Sequence, residues 1–127
     1  MHLIAVYGSL KRGFGNHSLL AKSRFVAEAT TEPTFTMLSL GGFPGIVAGG
    51  ETAIWCEVYE VDKETLHRLD RLEGHPDFYK RQDIHVITRD GKGLAVQGYV
   101  LPPVWLKRAQ QIKGGIWAKG GGNEASV

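Results

Sequence analysis

Glycine pairs at 41–42, 49–50 and 114–115, and a triplet at 120–122, punctuate this chain. Glycine costs the most backbone entropy inside a helix or strand and is the freest residue in a turn. With 17 glycines in 127 residues, a bundle of long helices is excluded. Many turns and short strands are expected instead.

The length suits one domain, and such a domain buries enough surface to fold without a staple. Cys56 stands alone in the sequence, so there is no internal disulfide and no multi-cysteine zinc site. A reducing compartment is consistent with that. The net charge is only +2, and basic residues are interleaved with acids, so no nucleic-acid partner is expected. The opening MHLIAVYGSLKRG has too short an apolar run for a signal peptide. No stretch nears the ~20 apolar residues of a membrane span. The expectation is a soluble cytoplasmic protein without a membrane partner.

Residues 2–7 read as a buried strand that breaks at Gly8, and 16–22 as one or two helical turns. Residues 25–31 and 34–40 read as strands parted by Pro33, and 41–50 as a glycine-rich loop around Phe43-Pro44. In 53–61, Ile54, Cys56 and Val58 alternate with Trp55, Glu57 and Tyr59. Asp62 is a good N-cap for a helix over 63–72, which Gly74 and Pro76 stop. Residues 78–89 and 93–101 form a hairpin around Asp90-Gly91, and Pro102-Pro103 end the sheet. The tail from Val104 carries Trp105, Leu106, Ile112, Ile116 and Trp117 and is expected to dock in part as a short helix. The closing GGGNEASV is expected to be disordered. Strands thus dominate around a single convincing helix. That pattern predicts an α+β fold in which the helix packs on a closed or nearly closed antiparallel or mixed sheet.

One carboxylate stands out. Leu66, Leu69 and Leu72 mark the packed face of the helix. Glu73 follows seven residues after Leu66, and at about 100° per residue seven steps return almost to the starting direction. Glu73 therefore falls on the buried stripe at the helix end. Burial and the negative end of the helix dipole both disfavour its charged form and raise its pKa. A glutamate tuned upward suits general acid/base work near neutral pH. The simpler reading is a frayed helix end with Glu73 in solvent.

The loop after the first strand is Tyr7-Gly8-Ser9-Leu10-Lys11-Arg12-Gly13. Gly8 permits close approach of backbone to a ligand, and successive amides in such a turn make an anion nest. Phosphate-loop readings fail, because Phe14 stands where Walker A needs lysine and Ser18 where a dinucleotide fingerprint needs its third glycine. No G-x-S-x-G elbow surrounds Ser9, and His17 is its only nearby base. A plain strand-ending turn is the alternative.

Together these segments resemble the γ-glutamylcyclotransferase-like superfamily, especially its short AIG2-like members related to γ-glutamylamine cyclotransferase. The resemblance rests on Val6-Tyr7-Gly8-Ser9-Leu10-Lys11-Arg12-Gly13, the pair Asn16-His17, and Glu57-Val58-Tyr59-Glu60-Val61-Asp62. It continues through Leu69-Asp70-Arg71-Leu72-Glu73, Pro76, Tyr79 and Arg81, and spans about residues 2–101. It implies a small mixed β-barrel with flanking helices over residues 1–103, with 104–127 as a partly docked extension.

It also implies an enzyme without metal or organic cofactor. The α-amine of a small γ-glutamyl substrate attacks its own γ-carbonyl, an amine leaves, and 5-oxoproline forms. The resemblance makes Glu73 the catalytic residue. Tyr7, Gly8, Ser9, Leu10, Tyr79 and Tyr99 are the expected substrate contacts, with the amides of Gly8, Ser9 and Leu10 holding the α-carboxylate. Arg81 is expected to pair with an acid such as Asp70 and fix the helix end. Residues 41–45 resemble a second pocket wall, and Cys56 is expected to be a packed strand residue. Two other readings are a non-catalytic ligand-binding module of the same fold and a protein that docks partners through residues 105–117. Oligomeric state, pathway and the particular γ-glutamyl compound stay open.

Overall fold

The apolar opening run is strand β1 (His2–Val6), in which Ile4, Ala5 and Val6 are buried. The computed structural model describes residues 1–118, so the closing GGGNEASV lies outside the described residues. After a 3-10 turn at His17–Leu20 come β2 (Arg24–Thr31), β3 (Phe35–Ser39), β4 (Pro44–Ala48) and β5 (Trp55–Val61). Helix α1 (Lys63–Glu73) leads to β6 (Lys80–Thr88) and β7 (Gly93–Val100). A second 3-10 turn (Pro103–Lys107) and β8 (Gln110–Ile112) follow.

Five strands close a barrel in the order β1-β5-β2-β6-β7, and β4-β3-β8 form a second sheet. Every barrel pairing is antiparallel except β1 with β7, which run parallel and meet at Ile4 and Gln97. The expected mixed barrel with a helix is therefore present.

Period-two alternation gives each barrel strand two faces. In β1 and β5 both are covered, while β6 leaves Asp83, His85 and Ile87 of its outer face exposed. Ala5, Ala29, Val58, Val86 and Val96, one from each barrel strand, share one apolar cluster. Ile4, Val6, Tyr59 and Val61, from the opposite faces of β1 and β5, pack with Leu66 and Leu69 of α1 in another. Leu69 is fully buried there, which contributes on the order of 2 kcal/mol.

Residues 41–50 are not wholly a loop. Their middle is β4, with Ile46 and Val47 buried against the barrel and the glycine pairs only at its ends. Glycine spacing marked the turns correctly but hid a five-residue apolar run too short to show a period. Leu72 does not continue the buried stripe either, being 42% exposed. Six steps of about 100° turn it about 120° away from Leu66, whereas Glu73 returns to the stripe. The tail docks, though not as an α-helix. It forms the 3-10 turn and then β8, which pairs with β3 through Ile112 and Met37. Trp117 is buried, and the Gly115 carbonyl accepts from Trp55 N–H at 2.9 Å.

Candidate active site

α1 begins where Asp62 Oδ1 accepts the Thr65 amide at 2.7 Å and ends where Gly74 turns left-handed at φ 70°. That stop makes Glu73 the last helical residue. A network on the same turn holds it there. Arg81 donates from Nε and Nη2 to the two Asp70 oxygens at 2.9 and 3.1 Å, so the expected Arg81–Asp70 pair is formed. Tyr99 Oη donates to Asp70 Oδ1 at 2.7 Å, and Arg81 N–H donates to His75 Nδ1 at 2.9 Å. Burial pushes Asp70 up, but the bonds from Arg81 and Tyr99 outweigh it and hold its carboxyl below the usual range.

Glu73 opens on a cavity of about 320 Å³ between the end of β1, the start of β4 and the segment entering β6. The side chain is half-buried, and its carboxyl makes no hydrogen bond or ion pair with another described residue. Its pKa is pushed up to about 7 by loss of water around it.

Tyr7, Gly8, Ser9, Leu10, Tyr79 and Tyr99 all line this cavity with Glu73. The three phenols, however, are spent on the protein. Tyr7 Oη donates to the Tyr99 carbonyl at 2.8 Å and accepts from Ile46 N–H at 3.2 Å. Tyr79 Oη donates to the Pro44 carbonyl. Tyr99 is tied to Asp70, as above. Burial raises all three phenols, and the Glu73 carboxyl adds to that. Their rings form walls, while their hydroxyls brace the strands around Glu73.

The amides of Gly8, Ser9 and Leu10 donate to no described backbone or side-chain acceptor. The surrounding loop is well tied. Lys11 N–H donates to the Gly8 carbonyl at 3.0 Å, and Asn16 donates to Ser9 from both its backbone and its side chain at 2.9 Å. Ser9 Oγ therefore faces Asn16. His17 Nδ1 lies 2.9 Å from the Leu10 carbonyl, so no serine–histidine pair forms. Gly42, Phe43 and Pro44 supply the opposite wall, where residues 41–45 were expected.

A Cβ on Gly8 would stand 2.7 Å from Pro44 Cγ and 2.9 Å from its Cδ. The ring cannot swing away, because Pro44 is buried at the head of β4 and its carbonyl holds Tyr79. Gly8→Ala is expected to push the loop off its position and raise KM by about tenfold or more, the size of one lost charge-assisted hydrogen bond. Steady-state kinetics beside a melting curve would check it.

Sequence reasoning missed two rim residues, Leu72 and Phe78, which also line the cavity. Leu72 lies three residues after Leu69 and so reads as core, but it is six after Leu66, about 120° round the helix from it, on the flank of the buried stripe. Cys56 is buried, with its thiol pushed up to about 12 by burial, as a packed strand residue should be. Among the described residues, no group of three or more His, Cys, Asp or Glu side chains is placed to hold a metal ion. No helix among them is long and apolar enough to cross a membrane.

The model of the family described as γ-glutamyl cyclotransferase, AIG2-like, matches residues 4–119. The chain belongs to that family. A provisionally named γ-glutamylcyclotransferase of Methanocaldococcus jannaschii is 39% identical over 104 residues, covering 80% of this chain and 86% of the relative. A γ-glutamylaminecyclotransferase of Rattus norvegicus is 31% identical over 125 residues, covering 81% and 82%. The crystal structure of an AIG2-like protein from Mus musculus superposes with a TM-score of 0.75 at 29% identity, covering 84% of this chain and 82% of that one. Membership supports an enzyme of the γ-glutamyl cyclotransferase kind and a small γ-glutamyl substrate.

Proposed function

We propose that this γ-glutamyl cyclotransferase family member converts a γ-glutamyl amine to 5-oxoproline and the free amine, with Glu73 as the catalytic acid/base. The observation that carries the reading is the Glu73 carboxyl, half-buried and unbonded, in one cavity with the unpaired amides of Gly8, Ser9 and Leu10. The amides hold the substrate α-carboxylate. This curls the chain so that the α-nitrogen meets the γ-carbonyl carbon, which removes much of the entropic barrier to ring closure. Glu73 takes a proton from the attacking nitrogen. The new C–N bond closes the five-membered lactam, the old one breaks, and Glu73 returns the proton to the departing amine. Protein and substrate carry the chemistry in this reading, without metal or organic cofactor.

An amine is favoured over an amino acid as the leaving group. No lysine, arginine or histidine lines the cavity among the described residues. The two loop cations point elsewhere, Lys11 Nζ donating to the Trp117 carbonyl at 2.8 Å and Arg12 reaching Glu28. A carboxylate on the carbon beside the leaving nitrogen would meet Phe43, Phe78 and Glu73 without a counter-charge.

The matched compounds γ-glutamylbenzylamide and γ-glutamylphenylalanine differ by that one carboxylate. Release of 5-oxoproline is expected to favour the amide by about tenfold or more. As a base, Glu73 works ionised, so kcat/KM is expected to rise with pH through about 7 and then level. Release from neither compound would refute the activity. Equal release would refute only the preference.

A further inference from the structure

Glu57 is a buried acid that the mechanism above does not use. It lies in the middle of β5, 8% exposed, and stands opposite Val6 of β1 on one side and Glu28 of β2 on the other. Like charges facing each other across a strand pair destabilise a sheet, and a buried carboxyl costs free energy unless it is bonded. For the barrel alone, a neutral residue would serve better at this position.

Its partners explain the choice. The Arg12 amide donates to Glu57 Oε1 at 2.9 Å, and Tyr59 Oη donates to the same oxygen at 3.0 Å. Arg12 Nε lies 3.6 Å from Glu57 Oε2, while Arg12 Nη2 reaches Glu28 Oε2 at 3.2 Å. The guanidinium is stacked over the Phe25 ring, 4.3 Å from its centre. One cation from the loop therefore bridges two acids of adjacent strands. Arg12 sits two residues beyond Leu10, and the Gly8–Lys11 turn leaves little slack between them. Gripping Arg12 by backbone and side chain sets where the unpaired amides stand.

We propose that Glu57 is a positioning residue for the Gly8–Leu10 loop, acting through Arg12 to hold the three amides in place for a ligand carboxylate. The inference rests on the role given to those amides in the proposed function.

Glu57→Met keeps the volume and removes the acceptor, while Glu57→Gln keeps an acceptor for the Arg12 amide. Glu57→Met is expected to raise KM and the calorimetric Kd for 5-oxoproline by about tenfold or more, with kcat within about threefold of wild type. The limb of the rate profile near pH 7 should not move. Glu57→Gln should recover affinity to within about threefold. Arg12→Met, which removes the bridging cation but keeps both acids and the backbone amide bound to Glu57, should also raise KM, and it stands in if Glu57→Met does not fold. In ligand-free protein, NMR order parameters of the Gly8, Ser9 and Leu10 amides should fall from about 0.85 toward 0.6 in Glu57→Met while β5 stays rigid. Unchanged KM in a folded Glu57→Met, or a loss confined to kcat, would overturn the proposal. If the wild type neither turns over γ-glutamyl compounds nor binds 5-oxoproline, the catalytic reading fails. The order parameters then decide by themselves whether Glu57 holds the loop.

Discussion

Replacing Glu73 with glutamine is expected to lower kcat by about 10³-fold, within the range for a lost general acid/base, and to leave the fold intact. The side chain is nearly isosteric, and the helix is stopped by Gly74 and anchored by Asp70, not by Glu73. The same substitution should stabilise the protein at neutral pH. The Glu73 carboxyl titrates near 7 in the fold against an ordinary value of 4.5. Between those values the folded state holds more protons than the unfolded chain, so stability falls as pH rises and the loss is complete above about 7. Glutamine removes that penalty, on the order of 2 kcal/mol for a half-buried group. Denaturation midpoints of the two proteins should agree at pH 4 and separate by pH 8. A variant that releases 5-oxoproline at the wild-type rate would sink the mechanism.

Arg81→Met is expected to damage both fold and activity. Asp70 loses a two-pronged partner while Tyr99 still donates to it, which leaves a mostly covered carboxyl with one bond. Loss of such charged hydrogen bonds costs about 2–3 kcal/mol, readable as a lower urea midpoint. The sign with pH is opposite to that of Glu73. Asp70 is held below the usual carboxylate range, so its contribution is present at neutral pH and is lost as acid protonates it. The wild-type and variant midpoints should therefore converge toward low pH. Asp70 lies one turn before Glu73, so the helix end loosens and kcat should fall by about tenfold, the cost of a misplaced catalytic group. Full activity in a destabilised variant would show that the network braces the barrel without aiming Glu73.

Residues whose role depends on local pattern were legible early. The Asp62 cap, the Gly74 stop and the Asp90-Gly91 turn are chemistry of a few adjacent residues, and each sits where it was expected. Glu73 was legible because helix geometry repeats, so two buried leucines point along the same stripe to it. Strand β4 was not, because five residues between glycine pairs show no period. Leu72 was misplaced because a single step of three from Leu69 stays near the same face, although two such steps carry the side chain about 120° round the helix from Leu66.

The sequence by itself determined most of the elements, a strand-dominated α+β pattern and the acid at the helix end, since these follow from side-chain period and from backbone preferences of Asp, Gly and Pro. The mixed barrel was implied by the family resemblance. Only the tertiary structure decided what that acid faces and how it is held. The raised Glu73 pKa needs walls brought from β1, β4, β7 and the segment before β6, and the phenols are engaged by groups distant in sequence, Tyr7 by the Tyr99 carbonyl across the β1–β7 closure and Tyr99 by the Asp70 carboxylate. Desolvation and long-range pairing are properties of the assembled surfaces. No local run of residues contains them.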